Sequence, residues 1–510
     1  MGKVWKRCRR IGTFVLAGLI MISATACKTE TAGSSGITAS TNTSSTAYLN
    51  QDTAANNVVL RADTAIKHQV VREFGVSGAW WSTGIGDRAT MDEILALLFT
   101  DKGIALNAYR HNVGGGREGG PRSDDGKSPD PWRAVPCPLQ ADGTIDITAD
   151  ANAWNVLQKI VKLGTVDDVV LFMNSPPETM TVNGKTYGDA TGSNLRNDQY
   201  ENYAKFCADV TAAYLNAGVP VKYICPVNEP QSQWDGGWQE GCHYTTDGIL
   251  RLAKLIIKEL NSRQLSAKIS LNDTAQYANK EYTHLFYEAM MKDDEIYPYV
   301  DHFAAHAYFA TDNVRTALLK WTQKVATGLG KKALPIYQTE FAAWRPENET
   351  LTIEDRLTMT GASLHKELTL LNAESWSYFA AVARGADSLI MVNDSDVSKY
   401  WVTRHFWAIG NYSKFITGYT RVETAEENMP EGVMGSAYLA PDGKKLVFVM
   451  VNESAAQQTV TLAGVPEGAA AEVFETSMTA TCETSAGYMT AANGYTLPAQ
   501  SVTTFVFDLG

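Results

Sequence analysis

Between residues 73 and 382, short runs of apolar, β-forming residues alternate with longer stretches in which apolar positions recur every three or four residues. Eight of the short runs predict strands: EFGVSGAWW (73–81), IALNAYRHNV (104–113), VVLFMNSPP (169–177), KYICPVNEP (222–230), KISLNDT (268–274), DHFAAHAYF (301–309), LPIYQTEFAAW (334–344) and ESWSYFAAV (374–382). The intervening stretches predict amphipathic helices. Met91, Ile94, Leu95 and Leu98 share one face behind a Thr90/Glu93 capping box, and Tyr203, Phe206, Cys207 and Val210 form a second stripe. Ile249, Leu252, Ala253, Ile256 and Leu260 form a third. Successive βα units of this number predict an α/β fold, a (β/α)8 TIM barrel over residues 73–420, with its chemistry at the C-terminal strand ends. An open doubly wound sheet is the competing arrangement. From Arg421 the helical stripes stop, and KKLVFVMVNES, QQTVTLAGV, AAEVFETS and SVTTFVFDL alternate between Gly- and Pro-containing turns, which predicts a β-sandwich side domain over residues 421–510. Residues 58–72 read as strands that pack with this sandwich.

The first 57 residues follow neither pattern. Lys3, Lys6, Arg7, Arg9 and Arg10 precede an apolar run from Ile11 to Ile22, the arrangement of an export signal over residues 1–26. The run is shorter than the about 20 residues a permanent membrane helix needs. Ala24-Thr25-Ala26 before Cys27 resembles the lipobox of bacterial lipoproteins, which implies an exported protein held at the cell surface by acyl chains on Cys27. Ala24 stands where leucine is usual, and simple cleavage after an A-x-A site, giving soluble secretion, is the alternative. Residues 27–57 are then a Ser/Thr-rich tether whose composition cannot bury a core.

Charge and cysteine content narrow the chemistry further. The net charge of −12 includes the basic leader, so the processed chain is more acidic still and nucleic acid is excluded as a partner. Strongly acidic polymers are disfavoured by the same field. Seven cysteines without a C-x-x-C pair give no zinc site. His302 and His306 fall four apart on a predicted strand with no third ligand, so no metal is expected. Gly114, Gly116 and Gly119 match a dinucleotide-binding spacing, but the PRSDDGKSPDPW that follows cannot open the helix that a pyrophosphate requires. No cofactor is expected, and the chain reads as a monomer.

The chemistry points instead to two glutamates. Glu229 ends the fourth predicted strand and Glu340 the seventh, and strand ends facing one barrel mouth bring such residues together. Cleavage of a glycosidic bond needs such a pair, one carboxyl to protonate the leaving oxygen and the other to meet the anomeric carbon. Asn228-Glu229-Pro230 and Glu340 resemble the corresponding sites of clan A retaining glycosidases. Six further stretches are similar to glycoside hydrolase family 30: FGVSGAWW, NAYRHNVGGG, NSPPETMTVNGKTYG with NLRNDQYENYAKF, HFWAIGNYSKFITGYTRV and LPAQSVTTFVF. The resemblance runs from about Val58 to the C-terminus and implies double displacement, with Glu229 as general acid/base and Glu340 as nucleophile.

Other residues are assigned around this pair. Asn228 suits a sugar 2-hydroxyl, while Arg110 and Tyr308, which match family positions, suit holding Glu340 ionised. His306 and Asn174, the latter opening NSPP, are further sugar contacts. Trp80, Trp81, Trp234, Trp238, Trp344 and Trp376 crowd the strand ends, where rings stack on the C–H faces of sugars, and Trp81 and Trp376 are the leading platforms. The resemblance is strongest to the endo-β-1,6-galactanase subgroup, through QWDGGWQEGCHY after NEP and the NSPP loop. It departs at Glu178, where the family usually has aromatic residues. A glucuronoxylanase-like β-1,4-xylanase is the alternative, with Arg384 as the single basic anchor available near strand eight. A lipid-anchored carbohydrate-binding protein without catalysis would be expected to lack one of the carboxylates. The expected substrate is a neutral plant polysaccharide.

Overall fold

The computed structural model describes residues 58–123, 126–188, 192–345 and 350–510. The leader, Cys27 and the tether lie outside the described residues.

Strand β1 (Val58–Val70) belongs to the C-terminal sheet, and eight parallel strands follow. They are β2 (Glu73–Ser77), β3 (Ala108–Asn112), β4 (Asp168–Phe172), β5 (Val221–Cys225), β6 (Lys268–Ile269), β7 (Phe303–His306), β8 (Ile336–Glu340) and β9 (Ser375–Ala380). They form one curled sheet in the order β6-β5-β4-β3-β2-β9-β8-β7. Its two edges meet in a bridge between Thr274 and Ala305, where the His306 N–H donates to the Thr274 carbonyl at 2.8 Å. The predicted barrel is therefore present, with a thin seam between β6 and β7.

Every strand is shorter than its apolar run. The fourth run was expected to continue through Pro230, but β5 ends at Cys225, so Asn228 and Glu229 belong to the loop beyond it. Apolar residues continue past the ladder because the barrel mouth is itself buried: Val227, Asn228 and Glu229 are all buried.

The helices α1 (Met91–Phe99), α2 (Tyr200–Asn216) and α3 (Thr246–Ser262) bury the three stripes that their spacing predicts. The capping box expected at Thr90 is absent. Thr90 has helical backbone angles (φ −82°, ψ −2°), so its hydroxyl is not aimed at the first free N–H groups, and Glu93 instead accepts from the Tyr400 hydroxyl at 3.0 Å. A capping box does occur at Thr352 and Asp355, opening the helix Ile353–Thr369.

The C-terminal strands and β1 make one nine-stranded sheet that folds over its own core, with β1 antiparallel to Thr420–Glu427 and parallel to Gln458–Ala463. The central strand Lys445–Asn452 explains the unbroken apolar run KKLVFVMVN. Leu446, Phe448 and Met450 enter the sandwich core, while Val447, Val449 and Val451 join the barrel core on the opposite face. A strand buried on both faces loses the usual apolar/polar alternation. The two helices that meet this face are Ile353–Thr369 and Arg404–Ile416. Gly361 permits the contact, because a Cβ there would lie 2.6 Å from a Val502 methyl.

Candidate active site

The loops beyond the strand ends of the curled sheet surround a cleft that encloses about 670 Å³ of space open to solvent. Glu229 and Glu340 both line it, with Asn174, Asn228 and Tyr308. Glu340 is the last residue of β8, so the strand itself sets its direction. Glu229 is placed differently. It has φ +45°, a left-handed conformation that is rare outside glycine, and its N–H donates to the carbonyl of Asp273, itself at φ +35°, at 3.0 Å. Backbone of this kind costs about 1–3 kcal/mol per residue and persists only where its surroundings over-determine it.

Below the two carboxylates lies a buried polar network. Arg110, on β3, donates through Nη1 to Glu340 Oε2 at 3.2 Å and to the Thr339 carbonyl at 3.1 Å. Its Nη2 reaches Asp273 Oδ2 at 3.2 Å and Asn228 Oδ1 at 3.4 Å. Tyr308 donates its hydroxyl to the other oxygen of Glu340 at 2.9 Å. His306, the last residue of β7, has Nδ1 2.9 Å from Glu229 Oε1 and 3.8 Å from Glu340 Oε1, and Nε2 3.7 Å from Asp273 Oδ1. Asp273 also accepts from the Thr339 hydroxyl and the Cys225 thiol.

This packing separates the protonation of the groups. Burial pushes Glu229 above the usual carboxylate range, with the Glu340 and Asp273 charges adding to the rise and His306 opposing it. Burial alone would lower His306, but Glu340, Asp273 and Glu229 together hold it up at about 10. Asp273 is also buried, yet Arg110 and His306 keep it far below the usual range. Tyr308 is pushed well up by burial and by Glu340, so its hydroxyl stays a donor.

Glu229, His306 and Glu340 hold ligand-type atoms within 4.8 Å of one another. Both oxygens of Glu340 accept hydrogen bonds and His306 Nδ1 is turned to Glu229, so the three groups form one connected network.

Not every residue assigned from sequence reaches the cleft. Arg110 and His306 lie beneath the carboxylates, buried to 3% and 0% exposure, and do not line it. The two leading platforms are misplaced. Trp81 turns back into the core at the start of a short helix (Trp81–Ile85), donating to the Ser77 carbonyl at 2.6 Å, and Trp376 is the second residue of β9 rather than its end. Both are fully buried, so neither ring has a face open to a sugar. Besides Tyr308, the rings in the cleft are Trp80, Trp234, Trp344, Phe309 and Phe379, with Phe309 48% exposed and edge-on to Trp344. Trp238 packs on Trp234 with centroids 5.9 Å apart.

Three further residues go unassigned from sequence. Asp273 was readable in LNDT at the end of the fifth predicted strand, the same signal that singled out Glu229. Asp387 and Gln239 line the cleft from loops, where no periodicity marks them. Glu178, the departure after NSPP, fills a structural place: Oε2 accepts from the Gly119 N–H at 2.7 Å, and a Cβ on Gly116 would lie 2.2 Å from that oxygen. Arg384 forms an ion pair with Asp394 and stacks over Trp132 at 4.3 Å, outside the lining. The cysteines Cys137, Cys207, Cys225, Cys242 and Cys482 are all free.

Comparison with known proteins agrees with this geometry. Residues 57–390 match the model of O-glycosyl hydrolase family 30, and residues 418–505 match the family's β-sandwich domain. An endo-β-1,6-galactanase of Hypocrea rufa is 23% identical over 410 residues, covering 75% of this chain and 79% of its own. Glucuronoxylanase XynC of Bacillus subtilis is 24% identical over 373 residues, covering 71% and 80%. The crystal structure of a conserved exported protein from Bacteroides fragilis superposes with a TM-score of 0.77 at 23% identity, covering 88% of this chain and all of that one. Among the described residues no helix is long and apolar enough to cross a membrane. With a matched catalytic model over most of its length and a matched sandwich behind it, the chain belongs to glycoside hydrolase family 30 and is a glycosidase.

Proposed function

We propose that this glycosidase is a retaining endo-β-1,6-galactanase acting on neutral galactan side chains of plant polysaccharide. The observation that carries the substrate class is the charge of the cleft. Among the described residues its lining includes three carboxylates, Glu229, Glu340 and Asp387, and no lysine or arginine. A glucuronate-bearing chain would meet repulsion there without a cationic partner, and Arg384, the residue that could have supplied one, is engaged with Asp394 and Trp132. Neutral sugars suit such a lining, because carboxylates and amides accept and donate to hydroxyls while the five rings cover C–H faces.

For the reaction, one oxygen of Glu229 lies within 4.8 Å of one of Glu340. A retaining pair holds its carboxyl groups about 5–5.5 Å apart, and this closeness fits that spacing. Glu340, held by Arg110 and Tyr308, attacks the anomeric carbon as a carboxylate. Glu229 gives its proton to the departing oxygen, then takes one from the water that releases the sugar. Asn228 lies beside the acid with its carbonyl facing Arg110, which leaves its amide N–H₂ for a sugar hydroxyl.

The test is product analysis on β-1,6-galactan, glucuronoxylan and β-1,6-glucan. Short β-1,6-galactooligosaccharides are expected from the first. Xylooligosaccharides from the second with no galactan cleavage would replace the substrate while leaving the mechanism in place. An exported, lipid-anchored location remains part of the proposal, and Cys27→Ser should release the protein from membranes or block its processing. Soluble secretion of the unaltered chain would remove the anchor.

A further inference from the structure

Asp273 has no place in the double displacement, yet it contacts more of the buried network than either glutamate. It bonds Arg110 Nη2 at 3.2 Å, faces His306 Nε2 at 3.7 Å, accepts from Thr339 and Cys225, and offers its carbonyl to the Glu229 N–H at 3.0 Å. The side chain of Asp273 is 1% exposed, that of His306 0% and that of Arg110 4%, so water screens none of them. Three carboxyl groups, Glu229, Glu340 and Asp273, therefore share one desolvated space with two cationic groups, Arg110 and His306. Tyr308 also faces it, as a neutral donor to Glu340.

From this juxtaposition we infer that Asp273 is a positioning residue whose fixed negative charge balances cationic His306, itself held by Glu229 and Glu340 as well, and so keeps the network neutral through both halves of the reaction. The inference rests on the roles proposed above for Glu229 and Glu340. In the resting enzyme Glu229 carries a proton, Glu340 and Asp273 are negative, and Arg110 and His306 are positive, which sums to zero. In the first half-reaction a Glu340 oxygen bonds the anomeric carbon, the glycosidic C–O bond breaks, and the Glu229 proton goes to the departing oxygen. Glu340 is now a neutral ester and Glu229 is negative, so the sum is again zero. Hydrolysis of the ester returns one proton to Glu229 and the charge to Glu340. One unit of negative charge thus moves between two glutamates over a fixed background of Asp273, Arg110 and His306. Without Asp273 the background would carry an uncompensated positive charge in a buried site, which favours ionised Glu229 and disarms the acid. The upward displacement of His306 by its three carboxylate neighbours agrees with this.

The experiment is the pH profile of kcat/KM, whose basic limb reports loss of the Glu229 proton. Asp273→Asn should move that limb down by about one pH unit or more, whereas His306→Gln, which removes a positive charge, should move it up. A role in packing alone would lower activity and leave the limb in place, and an unmoved limb in folded Asp273→Asn overturns the inference. Should that variant fail to fold, the wild-type enzyme still decides the matter through ¹⁵N NMR of its histidine rings. His306 is expected to hold two ring protons at pH 7, both free and after trapping of Glu340 by a 2-fluoro glycoside, and a neutral ring in the free enzyme overturns the inference. Failure of the underlying roles would look different: the fluoro sugar would not label Glu340, and Glu229→Ala would cleave galactan like the wild type.

Discussion

Glu229 and Glu340 are the same side chain in two surroundings. Both oxygens of Glu340 accept hydrogen bonds, from a guanidinium and a phenol, which suits a carboxylate that must stay ionised to attack. Glu229 has a single close partner, His306, and burial raises it, which suits a group that must hold a proton until the leaving oxygen needs it. The difference predicts opposite outcomes in azide. If Glu340 is the nucleophile as proposed, Glu340→Gly opens a gap from which azide attacks an activated β-galactoside directly, giving the α-azide. In Glu229→Ala the covalent intermediate still forms on Glu340, azide intercepts it, and the β-azide results. Polysaccharide cleavage by Glu229→Ala should fall by about 10²–10⁴-fold. NMR of the products identifies the anomer, and the same anomer from both variants would refute the assignment. The glutamate pair was legible from sequence because a polar residue ending an apolar run is conspicuous. Asp273 was not singled out, since an aspartate in LNDT also reads as a turn residue. Trp81 and Trp376 were misplaced for another reason: the inward or outward direction of a ring at a strand end depends on where the ladder stops, and periodicity does not give that point.

At the scale of elements, the mouth of the barrel depends on loops that the strands only anchor. The glycine-rich loop after β3 is held from two sides. Glu178 accepts from the Gly119 N–H and donates its own N–H to the Gly115 carbonyl at 2.7 Å, while the buried Glu240 accepts from the Gly115 N–H at 3.1 Å. Burial pushes Glu240 well above the usual carboxylate range, against the hydrogen bond from Gly115. The carboxylate of Glu178 occupies the space that a side chain on Gly116 would need, and with the Gly184 carbonyl it also crowds Gly119, which explains glycines at both positions without a phosphate. Glu178→Ala should therefore free the loop without touching the reacting carboxylates. A rise in KM of about 10-fold, equivalent to about 1.4 kcal/mol, is expected with kcat within a factor of about two. Steady-state kinetics on galactan checks this, and an unchanged KM would return Glu178 to the status of a lost platform. The helices were the most legible elements, because their stripes are buried as spaced. Strand ends were the least, because apolar residues continue into a buried mouth.

For the whole molecule, the question is whether the sandwich is an appendage or part of the barrel's support. The strand Lys445–Asn452 buries alternate residues in two different cores, and its Val447, Val449 and Val451 complete the packing of the barrel helices Ile353–Thr369 and Arg404–Ile416. Polar contacts reinforce the apolar ones. Asn411 donates to Thr504 Oγ1 at 2.9 Å and to the Phe474 carbonyl at 3.0 Å, and its own carbonyl accepts from the Thr504 hydroxyl at 2.6 Å. The chain also enters the barrel from this sheet, through β1, so sandwich strands flank the barrel in sequence on both sides. A fragment of residues 73–420 would expose the apolar face of two helices and leave Asn411 without its partners. It should be insoluble or fail to unfold cooperatively, whereas the full chain should show a single transition in which near-UV circular dichroism and activity are lost together. Val449→Asp in the full chain places an unpaired charge between the two cores and should lower the melting temperature with the cleft residues untouched. Calorimetry of the two proteins decides it: a soluble, active 73–420 fragment, or two separate transitions in the intact chain, would show that the sandwich rides on the barrel without supporting it.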